Sequence, residues 1–537
     1  MTDRQPRPWL VLFVLCLGTF AILLDTTIVN VALPSLITGL HARLDQSIWI
    51  VNGYLLVFCA LLIPASRLGD LFGPRRLFVG GLALFAVASA LCGAAQSPGE
   101  LIAARLIQGI GGAALTPQAM VIIQDVFRGG QSPPPGGSAA GSAASSAAGQ
   151  NRLGVAFGVF SSLVGLAAVS GPVLGGVLTT YLSWRWVFYV NLPVAAAGIV
   201  LALRFVPELR TGRRRRLDPA GVALSSAGLA AVTFGLIEGQ RYHWGAVWGP
   251  ALGGVSIPLI LALGVLLLVA FAAWERRRPD ALVPAALFRG RTFTIMAVVS
   301  VTVQFALQAM LLVNSINLQS VLGFTAVHAG LTGLPLTLAL TALAPFAGRL
   351  TDRFGGKYVL LAGLVIYAAG ITGVALAAST RATSLTFAPA LLVAGLGMGA
   401  IFAPLTTIGM GAAPPGLAGA ASGVLNTGRQ LGAALGGAVA GAVLSSRLTA
   451  GAQVGRGQQL GTTYIAAMHV ALAIPVAVLL ASAAACLLLR RSPAGVPAAG
   501  PVADVPAAAA DVAAAGPAPD TGGPDPDPDP VGKDQPL

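Results

Sequence analysis

The chain has 537 residues, of which 55% are hydrophobic and only 9% are charged. With a mean hydropathy of +0.81 it carries too few polar side chains to cover a folded core in water, which excludes a soluble globular protein. The net charge of +13 raises the question of a nucleic-acid partner, and the four cysteines lack the paired spacing of a disulfide framework or a thiolate metal site.

Apolar segments long enough to cross a bilayer follow one another along the chain. They predict an all-α polytopic membrane protein. The first segment is too long for the apolar part of a signal peptide, so we expect it to stay in the protein. The fourteen expected spans are 9–33, 47–66, 77–95, 101–124, 153–178, 187–206, 219–237, 251–274, 293–318, 328–348, 357–378, 386–412, 419–445 and 464–489.

Basic residues set the expected topology. With the N-terminus in the cytoplasm, most of the 32 Lys and Arg residues fall in cytoplasmic segments, as the positive-inside rule requires. The runs Arg213–Arg216 and Arg276–Arg278 then face anionic lipid headgroups, which argues against a nucleic-acid partner. The excess of Arg over Lys and the richness in Ala, Gly and Pro indicate a GC-rich bacterial genome. We therefore expect a multi-pass protein of the bacterial cytoplasmic (inner) membrane, with both termini cytoplasmic.

An acid lies inside the first span. Asp25, within Leu24–Pro34, is the deepest acid in the hydrophobic body of the chain. Because a charge at the bilayer centre costs roughly 2.5–3.5 kcal/mol on insertion scales, we expect Asp25 to face a cavity and to have a function. Arg105, in span four, is expected at nearly the same depth, which allows an ion pair or a shared hydrated pocket. We expect these two residues to form a proton-coupling site, and a permanent structural pair is the alternative.

A charged loop occurs twice. Ser66–Arg76 follows span two and recurs as Gly348–Lys357 after span ten. The repeat divides the chain into two pseudo-symmetric six-helix bundles with an inserted helix pair, a 6+2+6 arrangement, and it places both loops on the same side. Rocking of one half against the other then makes or breaks their ion pairs, although topology alone also explains the arginines. The candidate gating residues are Asp70, Gly73, Arg75, Arg76, Asp125, Asp352, Arg353 and Gly355, with Asp125 as the expected partner of Arg75.

The domain organisation follows from these segments. We expect a cytoplasmic N-tail (1–8), an N-terminal bundle (9–206), basic loops with the inserted pair (207–292), a C-terminal bundle (293–489) and a cytoplasmic tail (490–537). Residues 129–150, between spans four and five, are rich in Gly, Ser and Ala and are expected to form a disordered insert. The Pro-, Ala- and Asp-rich tail is expected to be disordered because it has too few apolar groups to offset the entropy of ordering.

Polar residues inside other spans are candidate substrate contacts. Gln304 and Gln308 lie on one face of span nine, the counterpart of span one, where hydrogen bonding between helices is the alternative role. Spans nine to fourteen contain no acid, so we expect neutral, monocationic or acidic organic substrates rather than dications. The candidate cavity residues are Asn30, Gln108, Gln304, Gln308, Asn426, Arg429 and Gln430.

Span five combines glycines with a proline. Gly171, Gly175 and Gly176 allow a neighbouring helix to approach closely, and Pro172 removes a backbone donor and bends the helix. Ordinary helix packing is the alternative explanation for the glycine spacing alone.

Several of these motifs resemble those of the major facilitator superfamily. The loop Ser66–Arg76 is similar to its Gly-x-Leu-x-Asp-Arg-x-Gly-Arg-Arg signature, with Ser66 and Pro74 as departures. Leu101–Ala114 is similar to its fourth-span motif, and the glycines of span five are similar to a motif found chiefly in its antiporters. Together with the fourteen spans, three further segments resemble the fourteen-span drug:proton antiporter family, the EmrB/QacA type: Leu24–Pro34, Ser183–Pro193 and Gly423–Gly436.

This resemblance implies a proton-coupled efflux antiporter that exports small amphipathic organic compounds or antibiotics by alternating access. Its partners are then a small organic substrate, protons and the lipid bilayer, with no cofactor other than the coupling proton. We expect a monomer. An importer or uniporter of a small metabolite on the same fold is the alternative. Sparse acids and four scattered histidines argue against an enzyme, and no Gly-x-x-x-x-Gly-Lys loop is present to bind ATP.

Overall fold

The computed structural model describes residues 7–128, 139–208, 218–239, 241–242, 244–247, 255–278, 281–414, 417–452 and 459–489. Some side chains inside these ranges are not described, among them those of Asn30, Pro172 and Asp352, and the predictions for 129–138, 213–216 and 490–537 lie outside the described residues. The described residues form α-helices and one π-helical turn, with no β-strand among them, which confirms the predicted all-α fold class.

The N-terminal half consists of long helices joined by short turns. Gly73 follows the last residue of α2 and has a φ of 95°, which suits glycine. Pro74 starts α3 at a position where a missing N–H costs nothing. α5 begins inside the segment that was expected to be a disordered insert. The helices are α1 (Pro8–Leu40), α2 (Leu44–Phe72), α3 (Pro74–Ala94), α4 (Pro98–Arg128), α5 (Ala139–Tyr181), the short α6 (Trp186–Tyr189) and α7 (Asn191–Phe205).

An inserted helix pair separates this half from the C-terminal half. The pair is α8 (Pro219–Glu238) and α9 (Ile257–Glu275), and the short α10 (Ala286–Arg289) follows. The C-terminal half contains α11 (Arg291–Ile316), a π-helical turn (Asn317–Val321), the short α12 (Ala326–Thr332), α13 (Leu334–Phe354), α14 (Gly356–Ala377), α15 (Ser384–Gly411), α16 (Ala418–Ala452) and α17 (Gln459–Leu487).

The backbone repeats the turn that the sequence repeat predicted. Gly355 lies between α13 and α14 with φ 85° and ψ 133°, and Gly73 lies between α2 and α3 with φ 95° and ψ 132°. The glycine at the turn of each charged loop therefore adopts the same backbone conformation in the two halves.

Thirteen helices among the described residues are long and apolar enough to cross a membrane. They coincide with thirteen of the fourteen predicted spans, and the remaining predicted span, 153–178, lies within α5. The protein is therefore a multi-pass membrane protein.

The two halves touch along the part of the bundle nearest to Gly73 and Gly355, which we call the motif end. There α5 packs against α13, and α2 packs against α16. A Cβ added to Gly348 would lie 2.8 Å from the carbonyl carbon of Gly154, so the absence of a side chain brings the two backbones together. An apolar cluster joins the halves nearby and includes Ile123, Phe157, Met410 and Leu417.

Candidate functional site

The candidate site is built around Asp25, which lies on α1 with 0% of its surface exposed. Arg105 on α4 is 1% exposed, and its Nη1 lies 2.5 Å from Oδ2 of Asp25. Asp25 and Arg105, which were expected at similar depth, therefore form a direct ion pair rather than line a shared hydrated pocket. An Arg–carboxylate pair in a dry interior is stable only when the remaining donors and acceptors are also bonded.

Neutral amides bond the other carboxylate oxygen. Gln108 Nε2 and Asn191 Nδ2 each donate to Oδ1 of Asp25 at 3.0 Å. Asn191 Nδ2 also lies 3.0 Å from Oγ of Ser89, which in turn donates to the carbonyl of Phe188 at 2.9 Å. Side chains from α1, α3, α4 and α7 thus form one connected network, which we call the Asp25 cluster.

Arg105 has further partners beyond the aspartate. Its Nη1 donates to Oε1 of Gln108 at 2.7 Å and its Nε donates to the carbonyl of Ile50 at 3.0 Å. The guanidinium carbon lies 4.5 Å from the centre of the Tyr54 ring, a cation–π distance. The arginine therefore keeps several contacts even when Asp25 is not counted.

Helix geometry explains why these groups meet. Arg105 and Gln108 are three residues apart and share a face of α4. On the neighbouring face, a Cβ at Gly109 would lie 2.7 Å from the carbonyl oxygen of Tyr54, and one at Gly112 would lie 2.8 Å from its hydroxyl oxygen. The glycines of α4 therefore let α2 come close enough to stack Tyr54 on Arg105.

The expectation that Asp25 faces a cavity is wrong for this conformation. The carboxylate points into the N-terminal bundle, where one arginine and two amides supply the hydrogen bonds that water would otherwise provide. Sequence reasoning missed Asn191, Ser89 and Tyr54. Asn191 carried a usable signal, because it is a polar residue near the start of an apolar span.

The charged loop at the motif end approaches the opposite half. Nη1 of Arg67 lies 3.7 Å from Oδ2 of Asp70, and the Asp70 carboxylate contacts Gly419 in the first turn of α16. A negative charge is stabilised at that end of a helix by the helix dipole. Asp70 therefore favours the conformation in which α2 and α16 touch.

The arginines that follow Gly73 bind within their own half. Arg75 donates to the carbonyl of Leu203, and Arg76 Nε lies 2.5 Å from Oε1 of Glu208 at the surface. The expected pairing of Arg75 with Asp125 is therefore wrong in this conformation, in which Asp125 is exposed. In the second loop Arg353 is exposed, and its guanidinium carbon lies 5.3 Å from the ring centre of Phe354.

Comparison with known proteins identifies the family. A model of the Major Facilitator Superfamily matches residues 15–437. The chain belongs to the major facilitator superfamily. It is 34% identical to the puromycin resistance protein pur8 of Streptomyces alboniger, over 91% of this chain and 92% of that protein. It is also 34% identical to the cephamycin export protein CmcT of Amycolatopsis lactamdurans, over 94% and 97% of the two chains.

A solved structure supports the fold. The human organic anion transporter MFSD10 (TETRAN) matches with a TM-score of 0.59 at 17% identity, over 90% of this chain and 100% of that chain. This likeness concerns the fold alone. With the family established, the protein is a membrane transporter of small molecules and not an enzyme, as the sequence predicted.

The candidate cavity residues of this facilitator-superfamily transporter fall into separate places. Gln108 belongs to the Asp25 cluster, whereas Gln304, Gln308 and Gln430 are half-buried on helices of the C-terminal half. Asn426 is buried, and its Nδ2 lies 3.4 Å from Sδ of Met120 across the junction of the halves.

Arg429 is the second arginine inside a span. Its Nη2 donates to Oγ1 of Thr406 at 3.1 Å, and its guanidinium carbon lies 5.2 Å from the ring centre of Phe402. It lies eleven residues into α16, about 16 Å at 1.5 Å per residue and hence near the middle of a ~30 Å apolar core. Its Nε is buried and has no hydrogen-bond partner among the residues that the structure describes.

The glycines of span five support the helix that carries Asp25. The Thr27 side chain contacts Gly171 where α1 and α5 cross, and its Oγ1 donates to the carbonyl of Ala167 at 3.1 Å. Gly175 accepts a bond from Thr179 within α5, and Gly176 has open space beside it. Gly171 therefore allows α5 to pack against α1 at Thr27, two residues beyond Asp25.

Two further acids are buried at the ends of the inserted pair. Glu238 ends α8 and Glu275 ends α9, and both are largely shielded from solvent. Sequence reasoning treated Asp25 as the only deep acid because both glutamates stand one position beyond the predicted apolar segments.

Proposed function

We propose that the protein is a proton-coupled efflux antiporter that exports small amphipathic organic compounds or antibiotics by alternating access. We also propose that it belongs to the fourteen-span EmrB/QacA type and lies in a bacterial cytoplasmic membrane. The names of the two relatives, a resistance protein and an export protein, support export. Their bacterial sources support the location.

The observation that carries the proposal is the bonding of Asp25. Protonation of the carboxylate would change the Asp25–Arg105 pair from neutral to positively charged and would remove the partner at 2.5 Å. Breaking a buried ion pair costs about 3–5 kcal/mol. Each 1.4 kcal/mol changes an equilibrium constant tenfold, so such a cost shifts the equilibrium constant between two conformations by roughly a hundredfold or more. Proton binding at this position can therefore drive a conformational change.

The same geometry favours a proton over a substrate at Asp25. The carboxylate has 0% exposure, so a substrate reaches it only after the cluster is disrupted. Arg429 lies near mid-depth in α16, and its Nε donor is unbonded within the described part of the chain, so it is better placed for direct contact with an electron-rich substrate. We assign proton coupling to Asp25 and Arg105, and substrate contact to the region around Arg429.

The contacts between the halves supply the gate in this proposal. With the motif end on the cytoplasmic side, the conformation described is closed towards the cytoplasm. Asp70 against the first turn of α16 and Gly348 against α5 then hold it closed. Opening requires both contacts to separate.

The test is uptake of puromycin, the compound in the name of one relative, by everted membrane vesicles from a pump-deficient host. An exporter accumulates the compound in energised vesicles, and collapse of the proton gradient abolishes the accumulation. We expect Asp25→Asn to abolish gradient-driven accumulation while puromycin counterflow without a gradient persists, because neutral Asn still occupies the position. Glu100→Gln is the matched control, since it removes an exposed acid and should leave transport unchanged.

Two outcomes would overturn parts of the proposal. Undiminished gradient-driven transport by Asp25→Asn would show that this residue is not the proton site. Movement of the compound out of energised everted vesicles would indicate an importer instead.

A further inference from the structure

One end of the inserted helix pair brings two carboxylates together. Asp218 immediately precedes α8, and Glu275 is the last residue of α9. Oδ2 of Asp218 and Oε1 of Glu275 each lie 2.9 Å from the point that a Cβ of Gly221 would occupy, so the two oxygens are within twice that distance of each other. The absence of a side chain at Gly221 therefore lets the two acids face each other beside the first turn of α8.

Glu275 is hydrogen-bonded at only one of its two oxygens. The residue is 6% exposed, and its Oε2 accepts a hydrogen bond from the backbone N–H of Val283 at 2.9 Å. Its Oε1 is buried and has no hydrogen-bond partner in the part of the chain that the structure describes. A buried acceptor without a partner is costly, and a second carboxylate nearby adds repulsion. A proton on Oε1 removes both penalties, because it neutralises the charge and makes the atom a donor beside the Asp218 carboxylate.

Asp218 connects this pair of acids with solvent. The residue is half-buried, and its Oδ2 accepts a hydrogen bond from Nε1 of Trp274 at 2.7 Å. The guanidinium carbon of Arg278 lies 4.6 Å from the ring centre of Trp274. Because Glu275 is shielded while Asp218 reaches water, a proton enters and leaves through Asp218. A proton also needs no cavity, so the close packing around Gly221 does not prevent its binding.

One buried cation acts on the pair from α2. The side chain of Arg67 is 2% exposed, attracts the Glu275 carboxylate and places its Nη1 3.7 Å from Oδ2 of Asp70. The arginines that follow α9, Arg276–Arg278, are exposed, so water screens their charge. One buried arginine therefore faces three carboxylates, those of Asp70, Asp218 and Glu275, and an added proton brings the group closer to neutrality.

Glu275 anchors residues 281–285, which we call the strap. Leu282 in the strap belongs to an apolar cluster with Ile63 of α2, and Leu431 of α16 packs against that cluster. Since α2 and α16 belong to opposite halves, the strap lies at the seam where the halves touch. The hydrogen bond from the strap to Glu275 is thus a polar attachment between the inserted pair and this seam.

We infer that Asp218 and Glu275 form a proton-binding site that responds to the pH at the motif end and controls the strap. With one proton shared between the two acids, Glu275 stays buried and keeps its bond to Val283. Release of this proton to solvent leaves two negative charges side by side, so Glu275 moves towards water and the strap loosens. The strap is therefore held at low pH and released as the pH rises. The site is separate from the Asp25 cluster and does not depend on the proposed function.

The first measurement is infrared difference spectroscopy of the purified full chain in nanodiscs, which detects the carbonyl stretch of a protonated carboxyl group. The pH is raised from mildly acidic to mildly alkaline, a range in which exposed carboxyl groups are already ionised. We expect a band that disappears over this range and is absent in Glu275→Gln. In Asp218→Asn the band should disappear at lower pH, because the repulsion is gone. Glu238→Gln is the matched control, since it neutralises the other buried acid of the inserted pair, which has Arg241 as its partner, and should keep the band.

The second measurement follows the strap itself. Ala281 is 3% exposed, so Ala281→Cys in a cysteine-free background should react slowly with a soluble maleimide while the strap is held. Each rate is divided by that of the unfolded protein at the same pH, which removes the effect of thiol ionisation. We expect the corrected rate to rise at least threefold from the acidic to the alkaline end. Added Glu275→Gln should keep it low throughout, because its amide stays neutral, whereas added Asp25→Asn should leave the pH dependence intact.

Three results would overturn the inference. The first is a band that persists in folded Glu275→Gln, and the second is a labelling rate of Ala281→Cys that does not change with pH. The third is a band in Asp218→Asn that disappears at the same pH as in wild type, and this result decides the question if Glu275→Gln does not fold. Loss of the pH dependence in Asp25→Asn would place the titrating group in the Asp25 cluster and would also refute the assignment.

Discussion

The close contact between α5 and α13 predicts that Gly348→Ala will destabilise the conformation in which these helices touch. The added Cβ would lie 2.8 Å from the carbonyl carbon of Gly154 and 2.9 Å from Cα of Val155. Both atoms belong to backbone, so the clash is relieved only by separating the two helices. Overpacking of this kind costs about 1–3 kcal/mol. The cost falls only on the conformation in which the helices touch, so the equilibrium between the closed and open motif end should shift by about 5–150-fold.

A cysteine reporter measures this shift. Ser66 is 1% exposed on α2, and its side chain contacts Gly423 of α16, so it is covered only while the halves touch. In a cysteine-free background, Ser66→Cys should react slowly with a soluble maleimide in detergent. Addition of Gly348→Ala should accelerate that labelling at least fivefold, because the open population rises.

Two glycine variants serve as controls. Gly80→Ala adds a Cβ with no heavy atom within 4 Å and should leave the labelling rate unchanged. Gly363→Ala places a Cβ 2.9 Å from Cγ1 of Ile401, inside the C-terminal bundle, and should lower thermal stability without exposing the reporter. Labelling of Gly348→Ala at the rate of Gly80→Ala would refute the reasoning, and so would equal acceleration by Gly363→Ala.

Two other predictions concern the Asp25 cluster and the gate. Asn191→Ala removes a hydrogen-bond donor to Asp25, and a hydrogen bond to a charged group contributes about 1.5–3 kcal/mol. The melting temperature in detergent should therefore fall clearly below that of wild type. An unchanged melting temperature would contradict the network. Asp70→Asn removes a negative charge whose interaction with the first turn of α16 contributes about 0.3–1 kcal/mol. The labelling rate of the same cysteine reporter should therefore rise about two- to fivefold. No rise would exclude the gating role.

The helices were predictable because hydropathy is a local property. Each of the thirteen candidate spans coincides with a predicted one, since around twenty apolar residues leave few alternatives to a membrane helix. The similar depth of Asp25 and Arg105 allowed an ion pair, and the family resemblance implied that spans one and four adjoin, so the pair that the structure shows was one of two foreseeable outcomes.

The direction in which Asp25 points was not predictable. Leucines and the threonines Thr26 and Thr27 stand on either side of it in the same turns of α1, so no single polar face in the sequence fixes the rotation of the helix about its axis. The cavity expectation failed for this reason. Likewise, Arg75 binds the carbonyl of Leu203, a contact 128 positions away that depends on how α3 packs against α7. Charge complementarity suggested Asp125 instead, because a backbone carbonyl has no sequence signature.

Two helices connect the Asp25 cluster with the junction of the halves. α2 contacts Arg105 through Ile50 and Tyr54, and its other end carries Asp70 against α16. α4 carries Arg105 itself, and Nε2 of Gln124 donates to the carbonyl of Met410 in the opposite half at 2.8 Å.

The 19 positions from Arg105 to Gln124 span about 29 Å of continuous helix. Gln118 Nε2 also donates to the carbonyl of Ala65 at 3.0 Å, which ties α4 to α2 between the two regions. In the proposed mechanism a change in the partners of Arg105 would therefore act on both helices at once, and both end in contacts that would have to separate for the motif end to open. The coupling that we propose between the buried ion pair and the gate would need no additional element, because the helices that hold the pair also form the junction between the halves.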